Sequence, residues 1–231
     1  MNCVILQPSY IPWRGYFHQI YKADLFIFFD DVQFDKNGWR NRNRIKTPNG
    51  TIWLTIPVLH KGNAAGQSII KDVMIDYTKD WCRKHWMSIQ QAYSKAPYFR
   101  RYCEILDDFI HRQYEYLSDF NIDLTVELSR QLGAHHTQFI RSSGLNQSGE
   151  KTDRLINILT SVGATHYITG PSARDYLEEE KFAACGIGLE YMVYDYREYN
   201  QLYPPYDPQV SILDLLFMVG EKAGNFIWDT D

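Results

Sequence analysis

Residues 3–16 read Cys-Val-Ile-Leu-Gln-Pro-Ser-Tyr-Ile-Pro-Trp-Arg-Gly-Tyr, and residues 24–29 read Asp-Leu-Phe-Ile-Phe-Phe. Both stretches contain a short apolar run of the kind typical of a strand buried on both faces of a parallel sheet. Between them, Phe17, Ile20 and Tyr21 fall on one face of a helix with 3.6 residues per turn. The pattern therefore predicts a strand at 3–6, a helix over 13–23 and a second strand at 24–29.

The rest of the chain continues this alternation. We predict further strands at 52–58, 69–75, 137–141, 165–168 and 188–194, and helices within 77–132, after 148 and from Ser211, which we expect to cap the last one. The polar stretch 34–50 is typical of a long functional loop. Alternating strands and helices predict an α/β fold, with a mostly parallel sheet and flanking helices. We expect one domain over residues 1–231, with a helical insertion or lid at about 77–133.

The composition excludes several classes of function. The 231 residues are 45% hydrophobic, which is enough for a sizeable core, and the net charge of −4 argues against duplex nucleic acid as a partner. No apolar run reaches the length of a membrane span, and the amino terminus lacks the features of a signal peptide, so we expect a cytoplasmic protein without membrane association. The four cysteines are scattered and the histidines lack ligand spacing, so we expect no metal site. The oligomeric state stays open.

The turn after the first strand has the residues of a preformed binding pocket. Two prolines fix its backbone, and Gly15 allows close approach of a ligand or another backbone segment. Aromatic rings can stack on a base or a sugar, and an amide at a strand end can hydrogen-bond a ligand. The candidate substrate-binding residues here are Gln7, Tyr10, Trp13, Gly15 and Tyr16.

A polar cluster follows the second strand. Either Asp30 or Asp31 is a candidate general base, or a ligand for Mg²⁺. We expect only one of them to face the site, because neighbouring residues on a strand point to opposite faces. Arginine and lysine can hold a phosphate or pyrophosphate. We expect Arg40 and Arg44 to be solvated charges. The candidate binding residues in this cluster are Gln33, Lys36, Trp39, Asn41, Arg42 and Lys46.

Three later residues complete the candidate set. Lys151 stands near a predicted helix start, where a bound anion would balance its charge. Gly170 and Ser172 belong to a loop after a late strand. We expect the turn after the first strand and the polar cluster to converge in one cleft that binds an anion and a ring.

The amino-terminal turn resembles the first βα turn of HUP-type nucleotidyltransferases and pantothenate-synthetase-like ligases. In those enzymes a Pro-containing loop leads to a Gly-His pair at a helix start. Here Gly15 is followed by Tyr16, so the imidazole is missing. The resemblance implies a HUP-like sheet, with the loop at Gly170 and the helix start at Ser211 as further phosphate-binding candidates.

The same residues also resemble those of the WbqC-like family, which is associated with genes for O-antigen and other surface polysaccharides. The resemblance covers essentially the whole chain. Its motifs are Gln7-Pro8-x-Tyr10-x-Pro12-Trp13-x-Gly15-Tyr16-Phe17, Asp31-x-Gln33-Phe34-x-Lys36, Trp39-x-Asn41-Arg42-Asn43-x-Ile45-Lys46, Trp53-Leu54-x-Ile56-Pro57-Val58, and Gly170-Pro171-Ser172 with Tyr176-Leu177.

This second resemblance implies an enzyme that transfers an acyl or aminoacyl group to the amine of a nucleotide-linked deoxyamino sugar. The activated donor would be an ATP-derived adenylate formed with Mg²⁺, an acyl-CoA or an aminoacyl-tRNA. Two alternatives stay open. One is a HUP-like nucleotidyltransferase or amide ligase acting on another small acid. The other is a non-catalytic scaffold that binds a sugar nucleotide.

Overall fold

The fold is built on a five-stranded parallel sheet. The computed structural model describes residues 1–35, 38–59 and 68–228. The sheet contains β1 (Asn2–Leu6), β2 (Leu25–Phe28), β5 (Gln138–Arg141), β6 (His166–Thr169) and β7 (Gly188–Tyr191), in the spatial order β5-β2-β1-β6-β7. Each neighbouring pair is parallel. The predicted α/β class with a parallel sheet is confirmed.

Helices cover both faces of the sheet, because successive strand residues point to opposite sides. On one face, Val4 and Phe26 pack with α1 (Arg14–Lys22) and α4 (Leu117–Gln131). On the other face, Ile5 and Ile27 pack with α5 (Lys151–Ser161) and α6 (Glu179–Ala184). The apolar runs identified in the sequence are strands buried on both sides.

The predicted helical region holds three helices. They are α2 (Trp81–Tyr93), α3 (Phe99–His111) and α4, and they stand in the chain between β2 and β5. Pro97 lies between α2 and α3. The last helix, α7 (Ile212–Val219), begins at Ser211, whose Oγ accepts a hydrogen bond from the backbone N–H of Leu213 at 3.2 Å. The predicted cap is confirmed.

Two segments differ from the prediction. The expected loop at 34–50 contains β3 (Arg42–Thr47), which forms an antiparallel hairpin with β4 (Gly50–Thr55). The alternation of apolar and polar residues that predicts a strand is interrupted in β3, because the inward residue Asn43 is polar, like its outward neighbours. The expected strand at 69–75 is instead a 3-10 turn over Ile70–Asp72, flanked by isolated bridges.

The chain order places a cleft at one end of the sheet. The chain leaves β1 through α1, on one face of the sheet, and reaches β2 on one side of β1. It leaves β5 through α5, on the opposite face of the sheet, and reaches β6 on the other side of β1. The two crossovers diverge between β1 and β6. Open α/β sheets bind ligands beyond the carboxyl ends of the strands at this kind of switch point. No helix within the described ranges is both long enough and apolar enough to cross a bilayer.

Candidate functional site at the carboxyl edge of the sheet

Two cavities open beyond the carboxyl ends of β1 and β6, and they share Leu6, Gln7 and Arg40. Their volumes of about 480 and 540 Å³ lie in the range of small-molecule sites, roughly 300–1,000 Å³. The cavity on the α1 side, called the ring lobe below, is also lined by Ser9, Pro12, Trp13, Tyr16, Gln19, Trp39, Asn43, Gly170, Pro171, Ser172, Tyr194 and Gln209. The cavity on the α5 side, called the anion lobe, is also lined by Ile5, Phe29, Val32, Gly149, Glu150, Lys151, Arg154, Leu155, Tyr167 and Tyr176.

The ring lobe owes its shape to Gly15. The indole of Trp13 lies over this glycine so closely that a Cβ there would stand 2.3 Å from Cζ2 of the ring. On the same turn of α1, the hydroxyl of Tyr16 donates a hydrogen bond to the carbonyl of Gln7 at 3.1 Å. Trp13 and Tyr16 thus line the ring lobe, and Gly15 lies beneath the Trp13 ring.

A segment after β7 closes the far wall of the ring lobe. Tyr194 accepts a hydrogen bond on its hydroxyl from Nε2 of Gln19 at 2.8 Å, and its ring stands edge-on to Trp13 at 5.0 Å. Burial raises the pKa of Tyr194 to about 12, so its hydroxyl stays protonated near neutral pH. The Oε1 atom of Gln19 is buried and has no hydrogen-bond partner among the residues that the structure describes. A ligand donor in the ring lobe would satisfy it.

A strained residue precedes Pro12, which lines the ring lobe. Ile11 has φ of 35°, in the left-handed region that a β-branched residue rarely adopts. Nδ2 of Asn43 fixes this turn by donating hydrogen bonds to the carbonyls of Tyr10 at 3.0 Å and Ile11 at 2.8 Å. Such strain is typical of functional sites, where the surrounding structure holds it in place.

Arg40 stands at the junction of the two lobes. Its Nη1 donates a hydrogen bond to Oε1 of Gln7, and its carbonyl accepts one from Nδ2 of Asn121 at 2.7 Å. Burial lowers the pKa of the Arg40 guanidinium, but an arginine stays charged in a protein. The expectation that Arg40 is a solvated charge was wrong, because the segment before β3 folds back against the end of β1.

The anion lobe lies at the amino end of α5. Lys151, the first residue of that helix, is exposed and has φ of 48°. One turn later, Nη2 of Arg154 donates to Oδ2 of Asp31 at 2.6 Å, which holds the guanidinium at the edge of the cavity. The positive end of the helix dipole favours anions here. Glu150 is the acidic residue of the lining.

The two aspartates that follow β2 contact the same serine. Asp30 is fully buried, and its carboxylate accepts hydrogen bonds from the N–H of Ser143 and the hydroxyls of Ser142 and Ser143. Asp31 is partly buried and accepts a hydrogen bond from the hydroxyl of Ser142 at 2.5 Å. β2 ends at Phe28, so both aspartates follow the strand instead of belonging to its pleat, and neither is among the residues that line the two lobes. That only one of them faces the site stays a prediction.

Four predicted binding residues lie elsewhere. Tyr10 is 1% exposed, and its hydroxyl is 2.9 Å from Nδ1 of the buried His85. The side chains of Asn41 and Lys46 are buried and donate hydrogen bonds to backbone carbonyls. Asn41 Nδ2 donates to the carbonyl of Ile56 at 2.8 Å, and Lys46 Nζ donates to the carbonyl of Pro205. The remaining one, Arg42, stacks on the ring of Trp53 at the hairpin's outer face.

Two more predicted residues, Gln33 and Lys36, are not among the residues that line the cavities. Gln33 is exposed and pairs with Ile69 in an isolated bridge. Lys36 lies outside the described residues. The predicted residues that do line the cavities are Gln7, Trp13, Tyr16, Trp39, Lys151, Gly170 and Ser172. Over the described ranges, no group of three or more His, Cys, Asp or Glu side chains is arranged as a metal site.

Arg40, Asn43, Arg154 and Tyr194 line the cleft and were not selected as binding residues from the sequence. Arg40 and Asn43 stood inside the polar segment already singled out, so the density of Asn and Arg was the available signal. Arg154 and Tyr194 carried no such signal. They reach the cleft because α5 and the segment after β7 fold against β1 from distant parts of the chain.

Comparison with known proteins supports one assignment. The sequence profile of the WbqC-like protein family matches residues 7–226. An uncharacterized protein of Mycobacterium tuberculosis is 41% identical over 225 residues, which cover 96% of this chain and 96% of that protein. No solved structure shows significant similarity to the chain. The match includes the turn at Gln7, the hairpin and the loop at Gly170. The chain belongs to the WbqC-like protein family.

Proposed function

We propose that the cleft binds a nucleotide-linked amino sugar and that the protein transfers an acyl or aminoacyl group to the sugar amine, in the biosynthesis of a surface polysaccharide such as O-antigen. The observation that carries this proposal is the position of Arg40. It stands between a lobe walled by aromatic rings and a lobe bordered by cations. A sugar nucleotide has the same pattern, since a charged pyrophosphate joins two rings.

The cationic groups suit the pyrophosphate. Arg40, Lys151 and Arg154 border the anion lobe, and the positive end of α5 adds to their field. Asp31 balances the charge of Arg154, and Glu150 adds one negative charge to the lining, so the net attraction rests mainly on Arg40 and the helix end. Because Arg40 is partly buried, its attraction for an anion is screened by salt less than that of a surface lysine.

The ring lobe suits the sugar or the base. Trp13, Tyr16 and Tyr194 supply flat faces, and Gln19, Asn43 and Ser172 supply polar atoms within the same cavity. Carbohydrate and base recognition uses this combination of ring faces and a few polar groups.

The proposed reaction forms an amide. The sugar amine attacks the acyl carbonyl, the new C–N bond forms, the bond from the acyl carbon to its carrier breaks, and the amine gives up a proton. Asp31 is the better supported acceptor for that proton, because its partner Arg154 lines the anion lobe. Asp30 is enclosed by Ser142 and Ser143, and this supports a structural part for it. The donor remains an adenylate formed from ATP and Mg²⁺, an acyl-CoA or an aminoacyl-tRNA.

One observation favours a second candidate, a HUP-like nucleotidyltransferase or amide ligase. The strand order β5-β2-β1-β6-β7, with the cleft at the β1–β6 switch point, also suits an enzyme that binds ATP with its phosphates at a helix end. The tyrosine at position 16, where those enzymes have a histidine, weighs against this candidate.

A thermal-shift experiment tests the binding step. UDP- and dTDP-linked amino sugars, the matching sugars without the amine, the nucleoside diphosphates and ATP are compared at a hundredfold excess over Kd. A specific ligand at that excess adds about 2.7 kcal/mol of stability, which raises the Tm of a chain of this size by about 5–10 °C. Arg40→Met should abolish the shift, and the matched variant Arg42→Met, on the outer face of the hairpin, should preserve it.

Mass spectrometry tests the chemistry. The protein is incubated with the best-bound amino sugar and one donor at a time. The donors are glycine with ATP and Mg²⁺, acetyl-CoA, and glycyl-tRNA. An acyl mass on the sugar amine is expected with one donor class. Binding without turnover would favour a scaffold. A thermal shift with ATP that Arg40→Met abolishes and Arg42→Met preserves would favour the HUP-like candidate.

A further inference from the structure

The outer face of the β3–β4 hairpin carries exposed tryptophans beside arginines. Trp53 is 46% exposed and Trp39 is 43% exposed, and their ring centroids are 5.3 Å apart. The guanidinium of Arg42 lies 4.5 Å from the centroid of the Trp53 ring, and that of Arg44 lies 5.8 Å from it. Since Trp53 pairs with Arg44 across the ladder, these side chains share one face of the hairpin.

The charge of this hairpin differs from that of the chain. Residues 38–59 contain four basic residues and no acidic residue, in a protein whose net charge is −4, and two of the four, Arg42 and Arg44, lie on the outer face. The inner residues Ile45 and Leu54 are buried in the core, which fixes the hairpin and so the orientation of its outer face. A rigid face with exposed rings and adjacent guanidinium groups is the combination with which proteins bind unpaired nucleotides: bases stack on the rings and phosphates pair with arginine.

The outer face is continuous with the cleft. Trp39, whose ring is tilted by 36° from that of Trp53, packs against Trp53 and also lines the ring lobe. Nη2 of Arg44 donates to the carbonyl of Gln209 at 2.9 Å and to its Oε1 at 3.2 Å, and Gln209 lines the same lobe. A nucleotide bound outside on the hairpin would therefore stand next to a sugar bound inside the ring lobe.

We propose that this outer face is a second site, which binds the phosphorylated adenosine of the acyl donor. The inference rests on the proposed acyl transfer and names the part of the donor that the site recognises, a phosphorylated adenosine. Coenzyme A carries an adenosine 3′,5′-bisphosphate unit, and the acceptor end of a tRNA is a single strand that ends in adenosine. Trp53 stacks on the adenine, Arg42 and Arg44 bind its phosphates, and the acyl group passes Trp39 to reach the sugar amine.

Calorimetric titration with adenosine 3′,5′-bisphosphate tests the site, and coenzyme A and the RNA trinucleotide CCA distinguish the two carriers. The wild-type protein should bind the bisphosphate and at least one of the two carriers. Trp53→Leu should weaken that binding by about tenfold to a hundredfold, the range for loss of a base stack, and Arg42→Met should weaken it in the same direction. Arg40→Met, the cleft variant, should leave it unchanged. The variants are checked for folding by circular dichroism.

Three results would overturn the inference. In the first, the wild-type protein binds none of the three probes. In the second, Arg40→Met abolishes binding and Trp53→Leu does not, so that the nucleotide occupies the cleft. In the third, Trp53→Leu converts a dimer to a monomer in sedimentation, so that a second copy covers the face. The sugar-nucleotide thermal shift is measured on the same samples. If that shift persists while these probes fail, the donor site is refuted and the proposed function is not.

Discussion

Nη1 of Arg40 donates a hydrogen bond to Oε1 of Gln7, and this bond joins the end of β1 to the segment before the hairpin. Both residues line the ring lobe and the anion lobe. Gln7 orients the guanidinium at the junction of the two cavities, so the cleft has a fixed cation at its centre before any ligand arrives. Preorganisation of this kind reduces the entropy lost on binding.

Gly15→Ala should deform the ring lobe. A Cβ at this position would lie 2.3 Å from the Trp13 ring, so the indole must move. We expect a loss of about 1–3 kcal/mol in the free energy of unfolding, as for overpacking in a core, and weaker sugar-nucleotide binding. Urea denaturation and the thermal-shift assay measure the two effects. Gly144→Ala is the control, because no atom of the described part of the chain outside its immediate neighbours lies within 4 Å of the added methyl group. Equal stability of the two variants would contradict this account.

Asp30→Asn and Asp31→Asn should have different consequences. The first change replaces a buried carboxylate that accepts hydrogen bonds from Ser142 and Ser143 with an amide, whose nitrogen cannot accept them. We expect a cost of about 2–3 kcal/mol in stability, measured by urea denaturation, and little direct effect on turnover per folded molecule. Asp31→Asn should reduce kcat strongly while costing less stability. Full activity in Asp31→Asn would remove the proposed proton acceptor.

His85 should make the protein less stable in acid. Burial lowers its pKa to about 4, against an unfolded value of 6.5. Between these values the unfolded chain binds a proton that the folded chain does not, so stability falls as pH decreases. The contribution is fully present above about pH 6.5, and up to about 3 kcal/mol is lost by pH 4. Urea denaturation at pH 7.5, 6 and 5 measures the slope.

The matched variants separate titration from packing. His85→Gln should flatten this part of the pH dependence, because glutamine does not titrate. Tyr10→Phe removes the hydroxyl 2.9 Å from Nδ1 of His85 and should cost about 1 kcal/mol at every pH, while the slope persists. An unchanged slope in His85→Gln would assign the acid sensitivity to other groups.

Arg14→Met should loosen the segment after β7. Nη1 of Arg14 donates to the carbonyl of Arg197 at 3.0 Å, and Nη2 donates to the Tyr206 hydroxyl at 2.8 Å. Its guanidinium also lies 4.5 Å from the centroid of the Tyr196 ring. Because the side chain is buried, we expect a loss of about 2–4 kcal/mol and faster proteolysis within 193–210. Arg101→Met, at an exposed ion pair with Glu221, should change stability by less than about 1 kcal/mol. Similar proteolysis rates in both variants would argue against the anchoring role.

The sequence by itself determined the central strands of the sheet, because hydrophobic periodicity and apolar composition are properties of neighbouring residues. The runs at 3–6 and 24–29 are buried on both faces, as their composition indicated, and Ser211 caps α7 through its own hydroxyl. The hairpin strand β3 was not predictable from its pattern. Its inward Asn43 is polar because it serves the turn at Ile11, a partner 32 residues away.

Only the tertiary structure decided which polar residues share the cleft. Asp30, Lys46 and Arg42 have the chemistry of binding residues, yet folding directs them to Ser143, to Pro205 and to the ring of Trp53. Arg40, which has the same chemistry, meets Gln7 instead. The side-chain direction of each depends on where β2 ends and on how the hairpin docks against α2 and α7. Those contacts join residues far apart in the chain, so no local pattern records them.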